Sequence, residues 1–248
     1  MSRIRAVLFD LGNTLLYFDG NWPQVFSQAD RELAIELINA GLDLDQKGFT
    51  IEFRRRLLAY YEQREAEFIE HTTAYILKDV LAEFGHKNIS DDIVQPALNR
   101  MYKVSQAFWL LEEETIPCLE ALREQGYQLA IVSNAGNDAD VQTLVDNKNI
   151  RKYFDLVLTS AACGIRKPNA RIFEFALERL NIAPKQAVMV GDKLGADILG
   201  AHNAGIFSIW VTRRANIPAN RDHADTIHPD ATISSLGELP ALLEQIVN

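Results

Sequence analysis

Short apolar runs recur along this chain, and all but the first crowd into its second half. The runs are Ala6–Phe9, Leu129–Val132, Leu156–Leu158, Ala187–Val190 and Phe207–Val211, with a weaker sixth at Ala231–Ile233. Each is too short for a helix and is built largely of β-branched and aliphatic residues. Between the later runs lie segments of helical period, such as Ile172, Phe173, Ala176, Leu177 and Leu180. Strands that alternate with helices need crossover connections, so the pattern predicts an α/β fold with a mostly parallel sheet. Pro117 to Gly126 reads as the helix feeding the second strand, and Leu236–Val247 as a closing helix.

The interval from about Tyr17 to about Glu114 breaks that rhythm. It holds no convincing strand, only successive helical stripes. One is Trp22, Val25, Phe26, Ala29, Leu33 and Leu37; a second is Ile76, Leu77, Val80, Leu81 and Phe84; a third runs from Ile93 through Met101 to Phe108. Gly41 and Gly85 are expected helix stops, and Ser90 before Asp91 and Asp92 an expected start. The first strand precedes this interval and the others follow it, so an all-helical unit interrupts the sheet domain. The expected organisation is a core of residues 1–16 and 115–248 with a helical cap of residues 17–114.

Charge narrows the function classes. The chain has 25 Lys+Arg against 34 Asp+Glu, a formal net charge of −9, and an acidic surface opposes capture of nucleic acid. The apolar run at the N-terminus meets Asp10 too early for a secretory signal or a membrane span, which predicts a cytoplasmic protein with no membrane partner. Cys118 and Cys163 form no CxxC pair and read as reduced thiols. The five histidines show no zinc-ligand spacing. Arg54-Arg55-Arg56 reads as a solvated helix face balanced by Glu62, Glu65, Glu67 and Glu70.

In an open parallel sheet the ligand crevice lies at the carboxyl ends of the strands, so the polar residue that ends each run is the one to examine. Asp10 follows the first run, Ser133 the second and Asp192 the fourth, while Lys167 stands in the loop after the third. Two carboxylates, a hydroxyl and an ammonium at one edge suit a hard cation together with an anionic group. Mg²⁺ is such a cation, since it takes one or two carboxylates and shares its remaining shell with water and phosphate. The lysine and hydroxyl would hold a phosphate from the other side. Ser133 has a second reading, as cap of the following helix.

Four segments carry a family resemblance. They are Val7-Leu8-Phe9-Asp10-Leu11-Gly12-Asn13-Thr14; Ile131-Val132-Ser133-Asn134; Lys167-Pro168 with Ile172-Phe173; and Gly191-Asp192 with Asp197, Gly200-Ala201 and Ala204-Gly205. In this order the chain resembles the haloacid dehalogenase (HAD) superfamily, in the branch with a helical cap inserted after the first strand. The resemblance implies a Rossmann-like core and a Mg²⁺-dependent phosphatase that hydrolyses a small phosphorylated metabolite through an aspartyl-phosphate. By that resemblance Asp10 is the nucleophile and Asp10, Asp192 and the Gly12 carbonyl hold the metal. Ser133, Asn134 and Lys167 hold the phosphoryl oxygens, and Asp197 supports Lys167 or a metal-bound water.

One position departs from the pattern. Phosphatases of the superfamily usually carry a second aspartate two residues after the nucleophile, where it protonates the leaving group; this chain has Gly12. Such acid–base help is typically worth about 10²–10⁴-fold. Its absence is compatible with a phosphatase whose leaving groups need little protonation, with C–P or C–halogen cleavage, or with a degenerate site that binds phosphate ligands or serves as a scaffold. Dehalogenases resemble Asp-x-Tyr-Gly-Thr at the first motif, which Gly12-Asn13 does not match. Lys193 either adds positive charge beside Asp192 or points to solvent. Neither the particular substrate nor the oligomeric state is legible at this level.

Overall fold

The computed structural model describes residues 4–247. In chain order its elements are β1 (Ala6–Phe9), β2 (Leu16–Phe18), α1 (Trp22–Asn39), α2 (Gln46–Glu67), α3 (Thr73–Glu83), α4 (Asp91–Gln106), β3 (Trp109–Leu111), α5 (Thr115–Glu124), β4 (Gln128–Ser133), α6 (Asp138–Asn147), β5 (Leu156–Thr159), α7 (Ser160–Cys163), α8 (Ala170–Leu180), β6 (Ala187–Gly191), α9 (Leu199–Asn203), β7 (Phe207–Val211), α10 (Pro218–Arg221), β8 (Ala231–Ile233) and α11 (Leu239–Val247).

Six strands form one sheet in the order β5-β4-β1-β6-β7-β8, and every pairing in it is parallel. The predicted α/β class and all six predicted strands are therefore present. β1 lies between β4 and β6, with all four of its residues buried, and strands covered on both faces read as continuous apolar runs. Successive side chains point to opposite faces. Val7 and Phe9 pack with Leu119 of α5, Val141 of α6 and Leu243 of α11. Ala6 and Leu8 pack with Ile172 and Phe173 of α8 on the other side. Register does the rest, because Phe9 is aligned with both Ile131 and Val190. Asp10, Ser133 and Asp192 consequently emerge within two residues of one level at a single edge.

Helices α1–α4 pack around a separate apolar centre that includes Leu33, Leu37, Phe49, Phe53, Leu77 and Leu98. Gly41 and Gly85 follow α1 and α3 at φ of 96° and 89°, where a side chain would be strained. Ser90 stands at the N-cap of α4 with Asp91 and Asp92 in its first turn. The all-helical expectation for residues 17–114 is corrected at both ends of that stretch: β2 and β3 pair antiparallel, with Phe18 opposite Trp109 and Leu16 opposite Leu111. Three residues each are too few for a two-residue alternation to stand out. Among the described residues no helix is long and apolar enough to cross a membrane.

Candidate active site

Lys167 is the hub of the strand-end cluster. Its side chain is 2% exposed, and its ammonium donates three bonds, each of 2.7 Å, to Asp10 Oδ1, Asp197 Oδ1 and the Val132 carbonyl. All three donors of the group are thus used. Burial alone would lower its pKa, but the charges of Asp10 and Asp197 outweigh burial and hold it above the ordinary lysine value. The Lys167 backbone is fixed as well: Asn134 accepts from its N–H at 2.8 Å and donates to its carbonyl at 2.9 Å. The Asn134 side chain, expected on a phosphate, is therefore engaged with the lysine backbone.

Asp10, Asp192 and Asp197 each offer an oxygen, and the three oxygens lie within 4.8 Å of one another. Asp197 is fully buried and its Oδ2 accepts from the Lys193 N–H at 2.9 Å. Gly191 makes room for it, since a Cβ there would fall 2.3 Å from Asp197 Oδ2. Asp192 is in a different state: both its oxygens are buried and neither has a hydrogen-bond partner. Burial, aided by the charges of Asp10 and Asp197, pushes its pKa up to about 8. Buried carboxylate oxygens without donors carry a large desolvation cost unless something positive completes them. With Asp10 beside them they form an all-oxygen donor set, which fits a hard divalent cation.

The loop bearing Asp192 is braced by residues that strand-end reasoning did not reach. Asn220 donates to the Asp192 carbonyl at 2.8 Å and accepts from the Leu194 N–H at 2.8 Å, while the Trp210 indole donates to the same carbonyl at 2.9 Å. Ser133 is buried at the end of β4 and faces the crevice. It does not cap the next helix. That place belongs to Asn137, which accepts from the Asp140 N–H at 2.9 Å. The Lys193 side chain is exposed at the crevice rim.

The crevice is a cavity of about 360 Å³ between the sheet edge and α1, α2 and α4. Asp10, Ser133 and Lys167 line its floor, and Trp22, Phe26, Leu57, Tyr61, Met101 and Trp109 its far wall. Gly12 lies on the floor under Trp109, whose ring would stand 3.2 Å from a Cβ at that position. An indole thus fills the room above the residue where an acid was expected. Asp140 also lines the cavity, and burial pushes its pKa up to about 7 against the lowering effect of the Gln106 amide that donates to it.

Arg54 is corrected from the solvated face assigned to it. Its guanidinium pairs with the buried Asp30 through two bonds of 2.8 and 2.6 Å and borders the cavity. Arg55 pairs with Glu52, and Arg56 with Asp79 and Glu83. Glu70 does not balance these arginines at all. It is buried against Arg166, Tyr60 and Ser160. Glu65 and Glu67 fall on side chains outside those described.

The lysine-bridged carboxylate cluster thus lies at the strand ends of a parallel sheet of the α/β class. Residues 4–205 match the haloacid dehalogenase-like hydrolase family, and the chain belongs to it. It is 32% identical over 244 residues to a glyceraldehyde 3-phosphate phosphatase of Methanothermobacter thermautotrophicus, across 97% of this chain and 100% of the relative. A HAD phosphatase structure from Thermococcus onnurineus superposes with a TM-score of 0.63 at 26% identity, covering 97% and 98% of the two chains. A 2-haloacid dehalogenase structure from Pseudomonas syringae does so with a TM-score of 0.65 at 26% identity, covering 98% and 99%. The fold is thus shared by phosphatases and dehalogenases, and the residues of the site must separate them.

Proposed function

We propose that this chain is a Mg²⁺-dependent phosphatase that cleaves a small phosphomonoester through an aspartyl-phosphate on Asp10. The observation that carries this reading is the pairing of Asp10 Oδ1 with the buried Lys167 ammonium beside the unpartnered oxygens of Asp192. The 32% identical relative named as a phosphatase supports it. Asp10, Asp192 and the Gly12 carbonyl would hold the ion. When bound, it supplies the positive charge that lets an anionic nucleophile approach an anionic phosphate.

The steps assigned to the protein are these. Lys167 holds Asp10 in place, so that Oδ2, which takes no part in that pairing, attacks phosphorus. The bond from phosphorus to the leaving oxygen breaks, its electron pair departs with that oxygen, and water supplies the proton with which it leaves as the alcohol. Ser133 and the Asn134 N–H steady the phosphoryl oxygens as charge shifts among them. Water then attacks the phosphorus of the aspartyl-phosphate, which releases phosphate and restores the Asp10 carboxylate. Asp197 keeps Lys167 charged and oriented. Helices α1–α4 act as the cap that excludes bulk water. A cytoplasmic setting accords with two free thiols, Cys118 and Cys163.

Phosphate release from a panel of phosphomonoesters and acetyl phosphate, with Mg²⁺ and with EDTA, tests the reading. Turnover that requires Mg²⁺ is the expected result. No release from any compound would overturn it in favour of a phosphate-binding protein, the reading Trp109 over Gly12 also allows.

A further inference from the structure

The far wall of the cavity is an aromatic assembly. Trp22 stacks on Phe18 with centroids 3.5 Å apart and rings 7° from parallel, and lies 4.9 Å from Phe26. Trp109 meets both Phe18 and Trp22 edge to face, at 5.5 and 6.0 Å. Trp22 opens α1 with Pro23 directly after it, and is 38% exposed. Trp22, Phe26 and Trp109 all border the cavity as well.

Arg54, Tyr102 and Ser105 on that wall are committed elsewhere, while Tyr61 also borders it. Arg54 is paired with Asp30 and lies over the Phe26 ring at 4.2 Å. The Tyr102 hydroxyl bonds Thr73 at 2.7 Å, and Ser105 donates to the Tyr102 carbonyl. Arg64 lies over Tyr61 at 4.1 Å. A short polyol would have to bury its hydroxyls against rings that offer them few partners, which costs affinity. A flat apolar ring would find ring edges and the Leu57 and Met101 side chains to pack on. The wall begins at the reacting end, because Trp109 stands directly over Gly12.

We propose that the substrate is a phosphomonoester whose leaving group carries a planar aromatic ring, held between the Asp10 floor and the Trp22–Phe26–Trp109 wall. This inference rests on the phosphatase reading and narrows its substrate class away from trioses and simple polyols. Trp22 and Phe26 are then specificity residues, and packing of the substrate ring against their edges would give each up to about a tenfold effect.

Initial rates with Mg²⁺ would be compared for benzyl phosphate, thymidine 5′-monophosphate, glyceraldehyde 3-phosphate and glycerol 2-phosphate. All four leave as alcohols, so differences report on recognition. The expected result is a kcat/KM at least about tenfold higher for the two ring-bearing esters, residing mainly in KM. Trp22→Ala and Phe26→Ala should each shrink that preference about tenfold, and Trp22→Phe should restore most of it. Equal or better turnover of the triose or glycerol ester would overturn the inference, as would an unchanged preference in both alanine variants with unaltered melting temperatures. A binding arm keeps the two readings apart: calorimetric titration of Asp10→Asn with benzyl phosphate and with glycerol 2-phosphate. If none of the four esters is hydrolysed, the phosphatase reading fails. Tighter binding of benzyl phosphate in that case still supports the aromatic wall as a recognition surface, and equal binding removes it.

Discussion

Glu70 and Arg166 offer a quantitative test of how the helical unit is fastened to the sheet domain. The Glu70 side chain has no exposed surface and that of Arg166 is 4% exposed. The Glu70 carboxylate accepts from Tyr60 at 2.8 Å and Ser160 at 2.6 Å and pairs with the guanidinium. Around it the backbones are stitched together: Glu70 N–H donates to Gly164 and Arg166 N–H to Phe68, at 3.0 and 2.9 Å. Removing one partner of a buried ion pair costs about 3–5 kcal/mol, because the other charge stays buried. Glu70→Gln keeps the shape and some hydrogen bonding, so about 3 kcal/mol is expected. Arg166→Met leaves a carboxylate with two hydroxyl donors, and about 4 kcal/mol is expected. In the double variant neither charge remains, so its cost should fall roughly 2–3 kcal/mol short of the sum. Urea denaturation of the four proteins at constant m-value measures this. Additive effects, or single losses under about 1 kcal/mol, would refute the claim that this pair is a buried, mutually dependent latch.

Other consequences follow from the carboxylate cluster. Lys167→Met leaves Asp10, Asp192 and Asp197 facing one another, and should destabilise the protein by about 3–5 kcal/mol besides abolishing turnover; denaturant midpoints check it. Asp192 titrates at about 8 when folded against 3.8 as its ordinary value, so the folded state binds more protons than the unfolded state in that interval. Metal-free protein should therefore lose stability steadily as pH rises from about 4 to about 8. Asp192→Asn should flatten that dependence in EDTA; a curve unchanged by the substitution would refute the assignment. Gly12→Asp should lower phosphate release rather than raise it, because its Cβ meets Trp109 at 3.2 Å. The double variant with Trp109→Ala should recover activity relative to Gly12→Asp alone.

Much of the site was legible because it is local in sequence. A strand covered on both faces writes itself as an apolar run, and in a parallel sheet its last residue points to the crevice. That logic found Asp10, Ser133 and Asp192 and led to Lys167. What it missed depends on partners far apart in the chain. Glu70 meets Arg166 across 96 residues, and Asn220 reaches the Asp192 loop across 28. β2 and β3 are three residues each and are separated in the chain by four helices. Trp109 over Gly12 belongs to the same class: the missing acid was visible in the sequence, but the ring that occupies its room was not. Arg54 read as solvated because it sits in a run of arginines, whereas its neighbour Asp30 lies one helix away.

The central claim is that Asp10 carries the phosphoryl group. Rapid-quench single turnover with Mg²⁺ and a hydrolysed ester, followed by mass spectrometry of the peptide containing residue 10, tests it directly. The expected result is a transient phosphoryl adduct on Asp10 that forms before phosphate appears and is absent from Asp10→Asn, which releases none. Phosphate release by Asp10→Asn at the wild-type rate, or turnover with no adduct at any quench time, would contradict it.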